Sequence, residues 1–490
     1  MLHVARRFPI IRFDAAMTLV RRHVQRLWFP IPGTGGAIPS RAECSMTQPE
    51  FDAAMPYEFW REVVDRVAVE VPGTLLLAEA FWLMEGYFVR TLGMHRVYNS
   101  AFMIMLRDED NAKYRSVLKN TLEFDPDILK RYVNFMSNPD ERTAVDQFGS
   151  GDKYFGVCTM MATLPGLPMF GHGQVEAFTE RYGMEYKRPR YEENANRDLV
   201  ARHQREVAPL LKDRSLFADS SDFVLYDFWK EDGTVDENVF AYSNCQGDRP
   251  ALVLFHNRYA ETRGTLHRST AYTDKASGTS RQKNLHEAMR FGVDEALFLA
   301  YQDAATELHY LRRSTEIAYS GLRVNLRAYQ YAVLQNWREL TVDQEHRWDQ
   351  LCDSLQGAGV WDLDEALVML RLRPVHSALR AALDASVVQQ VMALASRATP
   401  VEPKTRAAES EKSAGKVHKP KISTEGILPT FCRRAETFVL EAHSAYRLYR
   451  AEKSNEEPAG ARELRTTVCL LVEAVLRVPQ PEKIVMVSSR

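Results

Sequence analysis

The first 215 or so residues alternate between short apolar runs and stretches with a helical spacing of apolar residues. A short apolar run between polar residues is typical of a buried strand, and apolar residues three and four apart indicate a helix. Their alternation predicts parallel βα units. The predicted strands are Phe8–Phe13, Thr74–Ala78, Arg131–Met136 and Leu167–Phe170, with another near Val97–Phe102, and the predicted helices are Glu50–Val69, Asp108–Leu118, Gly151–Leu164 and Arg197–Lys212.

The pattern changes after residue 215. Three short apolar or alternating runs follow, with turn signals at Asp232–Gly233 and Gly247–Asp248, and they predict an antiparallel β module. The runs are Asp222–Phe228, Val239–Asn244 and Ala251–His256. We expect residues 260–285 to form a polar loop and helical periodicity to dominate from 286 to 396. The Pro- and Lys-rich stretch 399–425 cannot support a core and is predicted to be a linker.

Composition excludes several classes of protein. The 490 residues carry 63 Lys and Arg and 65 Asp and Glu, a net charge of −2, so nothing in the charge balance favours a nucleic-acid or membrane partner. The six cysteines are scattered without a CxxC pair, which suits free thiols and predicts a cytoplasmic protein. We expect no membrane span, no cofactor and no catalytic metal, since the histidines offer no metal-binding spacing.

Three carboxylates stand where predicted strands end. Asp14 follows IIRF, Glu79 follows TLLLA, and Asp140 follows NFMSNP. The carboxyl ends of parallel strands open on one face of a barrel, so the three side chains could converge there. Acids at this position are also common as helix N-caps or loop salt-bridge partners, and the spacing alone does not decide between these interpretations.

Glycoside cleavage with retention needs two such acids about 5–5.5 Å apart, one ionised and one protonated. The apolar neighbours of Glu79 suit the protonated role, because burial raises the pKa of a carboxyl group. Arg12 lies two residues before Asp14, on the same face of a strand, and is expected to hold Asp14 ionised.

Four motifs in this order resemble glycoside hydrolase family 13, the α-amylase family. They are IRFDAAMTL (Ile11–Leu19), LLLAEAFW (Leu75–Trp82), FMSNPDE (Phe135–Glu141) and PGLPMFGHGQ (Pro165–Gln174), which resemble the motifs of its fourth, fifth, seventh and eighth barrel strands. The resemblance implies that Asp14 is the nucleophile, Glu79 the general acid/base and Asp140 a ligand of the sugar hydroxyls. It makes Arg12, Asn138, Trp82 and His172 candidate substrate-binding residues.

The resemblance also has departures. Pro139 stands where the family usually has a histidine before the seventh-strand Asp, and no match to the first three barrel strands precedes Ile10. The expected fold is therefore an α/β partial (β/α)8 barrel lacking its first three strands, followed by an antiparallel β module and an α-helical C-terminal region. The expected segments are a barrel at 1–215, a β-rich module with a helical insertion at 216–345, helices at 346–398, the linker at 399–425 and helices at 426–490.

Two functions remain open from the sequence. The first is a retaining hydrolase or transglycosylase that acts on an α-glucan or maltooligosaccharide, in an N-terminally truncated form that a partner chain could complete. The second is a catalytically inactive carbohydrate-binding or interaction protein derived from such an enzyme. The motifs do not fix the substrate, the linkage or the choice between hydrolysis and transfer.

Overall fold

A computed structural model of the 490-residue chain describes residues 1–81, 84–181, 187–395 and 427–449. The chain divides into two compact units, residues 1–362 and 363–490. The first unit contains two sheets with their helices. The described part of the second unit is helical.

The N-terminal sheet has five parallel strands in the order β1-β2-β3-β4-β5. Each strand is only three or four residues long, and the interior ones are buried because they are packed by helices, as parallel sheets require. All five strand predictions are confirmed, including the strand near Val97. The strands are β1 Ile10–Phe13, β2 Leu75–Ala78, β3 Arg96–Tyr98, β4 Tyr132–Phe135 and β5 Leu167–Met169.

Helices connect these strands, as the alternating pattern predicts. The amphipathic helix Phe59–Glu70, which precedes β2, buries Trp60, Val64 and Val67. The helix Asp152–Thr163, which precedes β5, is buried along almost its whole length. The helices of this part are α1 Leu2–Ala5, α2 Arg21–Trp28, α3 Gln48–Ala54, α4 Phe59–Glu70, α5 Glu85–Arg90, α6 Ser100–Arg107, α7 Asn111–Phe124, α8 Ala144–Phe148, α9 Asp152–Thr163, α10 Arg197–Arg202, α11 Ala208–Lys212 and α12 Arg214–Phe217, with a π-helical turn at His203–Val207.

The second sheet is antiparallel, with eight strands in the order β13-β12-β15-β8-β7-β6-β9-β14. A separate hairpin is formed by β10 and β11. The strands are β6 Val224–Lys230, β7 Val239–Gln246, β8 Arg249–His256, β9 Thr262–Ser269, β10 Tyr272–Asp274, β11 Thr279–Arg281, β12 Leu297–Asp303, β13 His309–Arg313, β14 Leu322–Leu326 and β15 Tyr331–Thr341, with α13 Leu285–Ala288, α14 Ser314–Tyr319 and α15 Trp348–Leu355 beside them.

The antiparallel module is confirmed, but two predictions within it are wrong. Residues 260–285 are not a loop, since they contain β9 and the β10–β11 hairpin. Residues 297–341 are mostly strands rather than helices, since they contain β12 to β15, with only α14 between β13 and β14. A short apolar run such as Leu297–Tyr301 fits a strand or a helix equally well by periodicity, and pairing on both sides, to β13 and β15, decides for the strand.

One hydrophobic core joins the two sheets within residues 1–362. It includes Val133 and Phe135 of β4 and Phe240 and Phe255 of the antiparallel sheet. Helix α9 lies between them, and a side chain at Gly156 would collide with the Phe255 ring, so the close approach of α9 to β8 requires glycine there. The parallel sheet therefore packs against the antiparallel sheet through α9 and this shared core.

The second unit contains α16 Leu363–Arg371, α17 Arg373–Ala382, α18 Ala385–Ala395 and α19 Ile427–Tyr449. These helices agree with the helical predictions for this region, whereas the predicted linker and the residues beyond 449 lie outside the described part. No helix in the described ranges is long and apolar enough to cross a bilayer.

Candidate active site

Asp14 and Glu79 come together because β1 and β2 are neighbours in register. Phe13 pairs with Ala78, so the residue that follows each strand emerges at the same edge of the sheet. The backbone continues the pairing there, with the Glu79 N–H donating to the Phe13 carbonyl at 3.0 Å and the Ala16 N–H donating to the Glu79 carbonyl at 2.9 Å. These main-chain hydrogen bonds hold the backbone on both sides of Asp14 against that of Glu79.

Asp140 joins them from the loop after β4. One carboxylate oxygen from each of Asp14, Glu79 and Asp140 lies within 4.8 Å of the others. The structure therefore brings together the three acids that the sequence placed 65 and 61 residues apart. Asp14 and Asp140 are exposed, with 57% and 55% of their side-chain surface accessible, whereas Glu79 has only 3%.

Arg12 lies at the centre of this carboxylate cluster. Its guanidinium Nη1 is 2.7 Å from Asp14, and Nη2 is 3.0 Å from Glu79 and 3.8 Å from Asp140. Its Nε donates a hydrogen bond to the Tyr98 hydroxyl at 2.8 Å. One cation with a fixed planar geometry thus orients three acids and is itself held by β3.

The surroundings of Glu79 favour its neutral form. Burial raises the pKa of Glu79 above its ordinary value of 4.5, a shift that the Ala15 N–H, donating to Oε2 at 3.1 Å, and the charge of Arg12 partly oppose. The other oxygen, Oε1, is buried without a hydrogen-bond partner among the described residues. A buried acceptor of this kind is costly to leave unpaired.

Asp14 is shifted in the opposite direction. The hydrogen bond from Arg12 lowers the pKa of Asp14 below its ordinary value of 3.8. Two adjacent carboxyl groups with pKa values pushed apart are the arrangement that assigns one to a nucleophile or base and the other to an acid.

Asn138 shapes the loop that carries Asp140. Its Oδ1 accepts hydrogen bonds from the backbone N–H groups of Asp140 at 3.0 Å and Glu141 at 2.8 Å. Its Nδ2 is buried without an acceptor among the described residues. The asparagine therefore positions the Asp140 backbone, and its amide nitrogen remains a donor for a further group.

The other predicted binding residues are placed differently. His172 is exposed and lines a small cavity of about 40 Å³ that Asn138 and Pro139 also line. It lies on the loop after β5. Trp82 lies outside the described residues.

The carboxylate cluster is compact enough for a metal ion to bridge its oxygens. The Arg12 guanidinium, however, already supplies a positive charge within 4 Å of all three acids. A divalent ion at the same point would repel it, so the donor set does not call for a metal.

Tyr98 is the site residue whose contact was not expected. None of the four sequence motifs includes it, whereas the structure buries it with its hydroxyl accepting a hydrogen bond from Arg12 Nε. The signal was its position as the last residue of β3, the strand beside β2.

Fold and site together define an α/β protein with three carboxylates gathered around an arginine at the carboxyl edge of a parallel sheet. No protein-family model matches the chain, and no curated protein matches it. Among solved structures, many that are similar are α-amylases and debranching enzymes.

Three of these similar structures show how partial the likeness is. An Anoxybacillus α-amylase is 12% identical, with 56% of this chain and 55% of that one covered and a TM-score of 0.38. A Nostoc punctiforme debranching enzyme soaked with acarbose is 14% identical, with 57% of this chain and 54% of that one covered and a TM-score of 0.39. The Geobacillus thermoleovorans α-amylase complexed with acarbose is 14% identical, with 58% of this chain and 57% of that one covered and a TM-score of 0.38. The chain thus spans just over half the length of each.

Proposed function

We propose that this chain is a retaining glycoside hydrolase or transglycosylase of the α-amylase type that acts on α-glucans or maltooligosaccharides. One observation carries the proposal: Asp14 and Glu79 present carboxylate oxygens within 4.8 Å of each other at the carboxyl edge of the sheet. A short separation of this kind leaves no room for a water between nucleophile and sugar, as in double-displacement glycosidases.

The two carboxylates divide the chemistry. An Asp14 oxygen attacks the anomeric carbon while the glycosidic C–O bond breaks, and the leaving oxygen takes the proton of Glu79. Glu79, now ionised, then removes a proton from water or from an acceptor hydroxyl, whose oxygen attacks the same carbon and releases Asp14. The lowered pKa of Asp14 and the raised pKa of Glu79 match these starting states.

The remaining residues of the cluster bind and orient. Arg12 holds Asp14 ionised and aligned through its 2.7 Å contact. Asp140, exposed at the mouth of the cluster, accepts hydrogen bonds from sugar hydroxyls, and Asn138 holds the loop that presents it. His172 and Trp82 stay proposed substrate contacts on the grounds of the motifs that contain them.

We further propose that the parallel sheet is part of a (β/α)8 barrel. Within the described residues β1 pairs with β2 alone and β5 with β4 alone, so two strand edges are open. Ile10 on β1 and Leu167 on β5 are 60% and 42% exposed. Open edges with exposed apolar side chains favour pairing with further strands, which a partner polypeptide could supply.

The first experiment is turnover of maltoheptaose by the purified 490-residue chain near neutral pH, with products separated by chromatography. We expect cleavage or chain-length redistribution that is lost in Asp14→Asn and Glu79→Gln, since each removes an oxygen that bonds or carries the proton. Glu62→Gln, on α4 away from the carboxylates, is the matched control and should keep wild-type activity. Wild-type turnover in the Glu79→Gln variant would contradict the proposed role of Glu79 as the general acid/base.

The alternative is a catalytically inactive carbohydrate-binding protein. Pro139 in place of an imidazole and the open edges of the sheet favour it. A folded chain that binds maltoheptaose in calorimetry but yields no product, with equal affinity in the Glu79→Gln variant, would support this function over the first.

A further inference from the structure

A second concave site lies beside α2. It is a cavity of about 480 Å³ between that helix and the loop 30–37, which we call the α2 cavity. Its lining consists of Arg22, Gln25, Arg26, Pro30, Ile31, Thr34, Gly36 and Ala37. None of these residues is acidic, so the cavity has cationic and neutral walls.

Two arginines of the α2 cavity lack a counter-ion. Arg22 and Arg26 are four residues apart on one face of α2, and no carboxylate of the described residues forms an ion pair with either. Arg21, by contrast, is paired with Asp52, so its charge is compensated. Like charges four residues apart on a helix repel each other, and an anion between them would relieve this repulsion.

Gln25 adds a donor on the same face. It lies three residues after Arg22 and directly before Arg26, and only 9% of the residue is exposed. Its Nε2 is buried without an acceptor among the described residues. A buried amide donor needs an acceptor, and within this lining set none is supplied.

The opposite wall is a glycine-rich loop. Of this loop Pro30, Ile31, Thr34, Gly36 and Ala37 line the cavity, and Gly36 has a φ angle of +67°, a region that L-residues rarely adopt. No described residue accepts a hydrogen bond from the backbone N–H of Gly36 or Ala37. Successive main-chain N–H groups without partners are donors that bind oxyanions.

We propose that the α2 cavity binds a phosphate group carried by a small molecule, either inorganic phosphate or a sugar phosphate. Two guanidinium groups, a buried amide and main-chain donors are the partners that a phosphate dianion prefers. The volume is that of a small-ligand pocket, and it limits the ligand to a compact molecule. The site is separate from the carboxylate cluster and does not rest on the proposed glycosidase activity.

Titration calorimetry at low salt tests the proposal with inorganic phosphate, glucose 6-phosphate and glucose as probes. We expect saturable binding of phosphate and no binding of glucose to this site. The double variant Arg22→Gln/Arg26→Gln should weaken phosphate binding at least tenfold. Glucose 6-phosphate binding more tightly than phosphate would identify a sugar phosphate as the ligand, and equal affinities would identify free phosphate.

The matched control removes two arginine charges outside the α2 cavity. Arg7 and Arg338 are exposed and have no ion pair within the described residues, so Arg7→Gln/Arg338→Gln should bind phosphate as the wild type does. The double variant Arg22→Lys/Arg26→Lys keeps both charges but loses the paired N–H geometry of the guanidinium groups. Its affinity for phosphate should lie between that of the wild type and that of Arg22→Gln/Arg26→Gln. Absence of saturable phosphate binding to the wild type, or equal losses in the glutamine variant and its control, would overturn the proposal.

Discussion

At the scale of single residues, Arg12 and its partners decide what the three acids can do. The guanidinium shares its positive charge among Asp14, Glu79 and Asp140, yet it lowers the pKa of the first while the second remains shifted upward. The difference comes from solvent, because Asp14 is exposed and Glu79 is buried. One cation and two unequal environments therefore shift the pKa values of two neighbouring carboxyl groups in opposite directions.

Tyr98→Phe tests whether the position of Arg12 matters to turnover. The change removes the hydroxyl that accepts from Arg12 Nε at 2.8 Å and leaves the buried ring in place. A hydrogen bond to a charged group contributes about 1.5–3 kcal/mol, so we expect kcat to fall about tenfold or more. KM for maltoheptaose should change little. Tyr57→Phe, at a residue that is 79% exposed, is the control, and an equal loss of kcat there would contradict the positioning role.

Stability should also report the state of Glu79. Because burial raises its folded-state pKa above 4.5, its contribution to stability is fully present below that pH and is lost as pH rises through the folded pKa. Glu79→Gln cannot ionise and escapes this loss. The free energy of unfolding of the variant, relative to wild type, should therefore increase from pH 4 to pH 7 in urea titrations. A difference that is constant over this range would mean that Glu79 is not shifted.

At the scale of elements, α7 and the antiparallel sheet are joined by one buried cation. Arg115 is completely buried, and it contacts Asp227 at 2.5 Å, Glu237 at 2.6 Å and the Val239 carbonyl at 2.8 Å. The side chain thus ties a helix of the parallel region to strands β6 and β7. Its guanidinium also donates to the Tyr226 carbonyl, so the cation itself is fully hydrogen-bonded inside the core.

Arg115→Ala should therefore be strongly destabilising. Removing one member of a buried ion pair costs about 3–5 kcal/mol, and we expect the lower end of this range because Lys119 stays 2.9 Å from Asp227. Urea unfolding measures the change. Arg61→Ala removes an exposed pair with Asp65 on α4 and should cost only about 0.3–0.5 kcal/mol. Similar losses in both variants would argue against the anchoring role of Arg115.

At the scale of the whole molecule, residues 1–362 contain both sheets and all three acids. The predicted boundary after residue 345 differs from this division. Helix α15 follows that boundary, and it belongs to the first unit through buried Trp348 and Leu351 and the 2.7 Å pair of Arg313 with Asp353. The backbone of Val360 also pairs with His309 of β13.

Two truncated chains test whether the first unit ends after residue 345 or after Asp362. A chain that ends after Asp362 should keep the cooperative unfolding of the first unit and any turnover of maltoheptaose. A chain that ends after residue 345 loses α15 and uncovers the apolar residues beneath it, so we expect a lower melting temperature and a tendency to aggregate. Circular dichroism and activity measured on both chains check this, and equal behaviour would favour the boundary after residue 345.

Much of the site could be predicted from the sequence because it depends on residues that are close together in the chain. A strand followed at once by an acid occurs twice, at Asp14 and Glu79, and parallel pairing places both acids on one edge of the sheet. Asp140 lies on the loop after β4, and the hydrogen bonds of Asn138 shape the loop that brings it to the same edge. The relation of Arg12 to Asp14 is equally local, since residues two apart on a strand share a face. The contact of Tyr98 with Arg12 was not readable, because it joins residues 86 positions apart whose approach depends on the register of three strands.

The sequence by itself determined the parallel strands, the helices between them and the positions of Asp14, Glu79 and Asp140, because hydrophobic periodicity and strand ends are properties of neighbouring residues. Only the tertiary structure decided that most of 297–341 forms strands, since Leu297–Tyr301 gains its hydrogen bonds from β13 and β15 rather than from its own segment. It also decided the unequal burial of Asp14 and Glu79. Burial depends on packing around the whole sheet edge, and it separates the two pKa values on which the proposed chemistry relies.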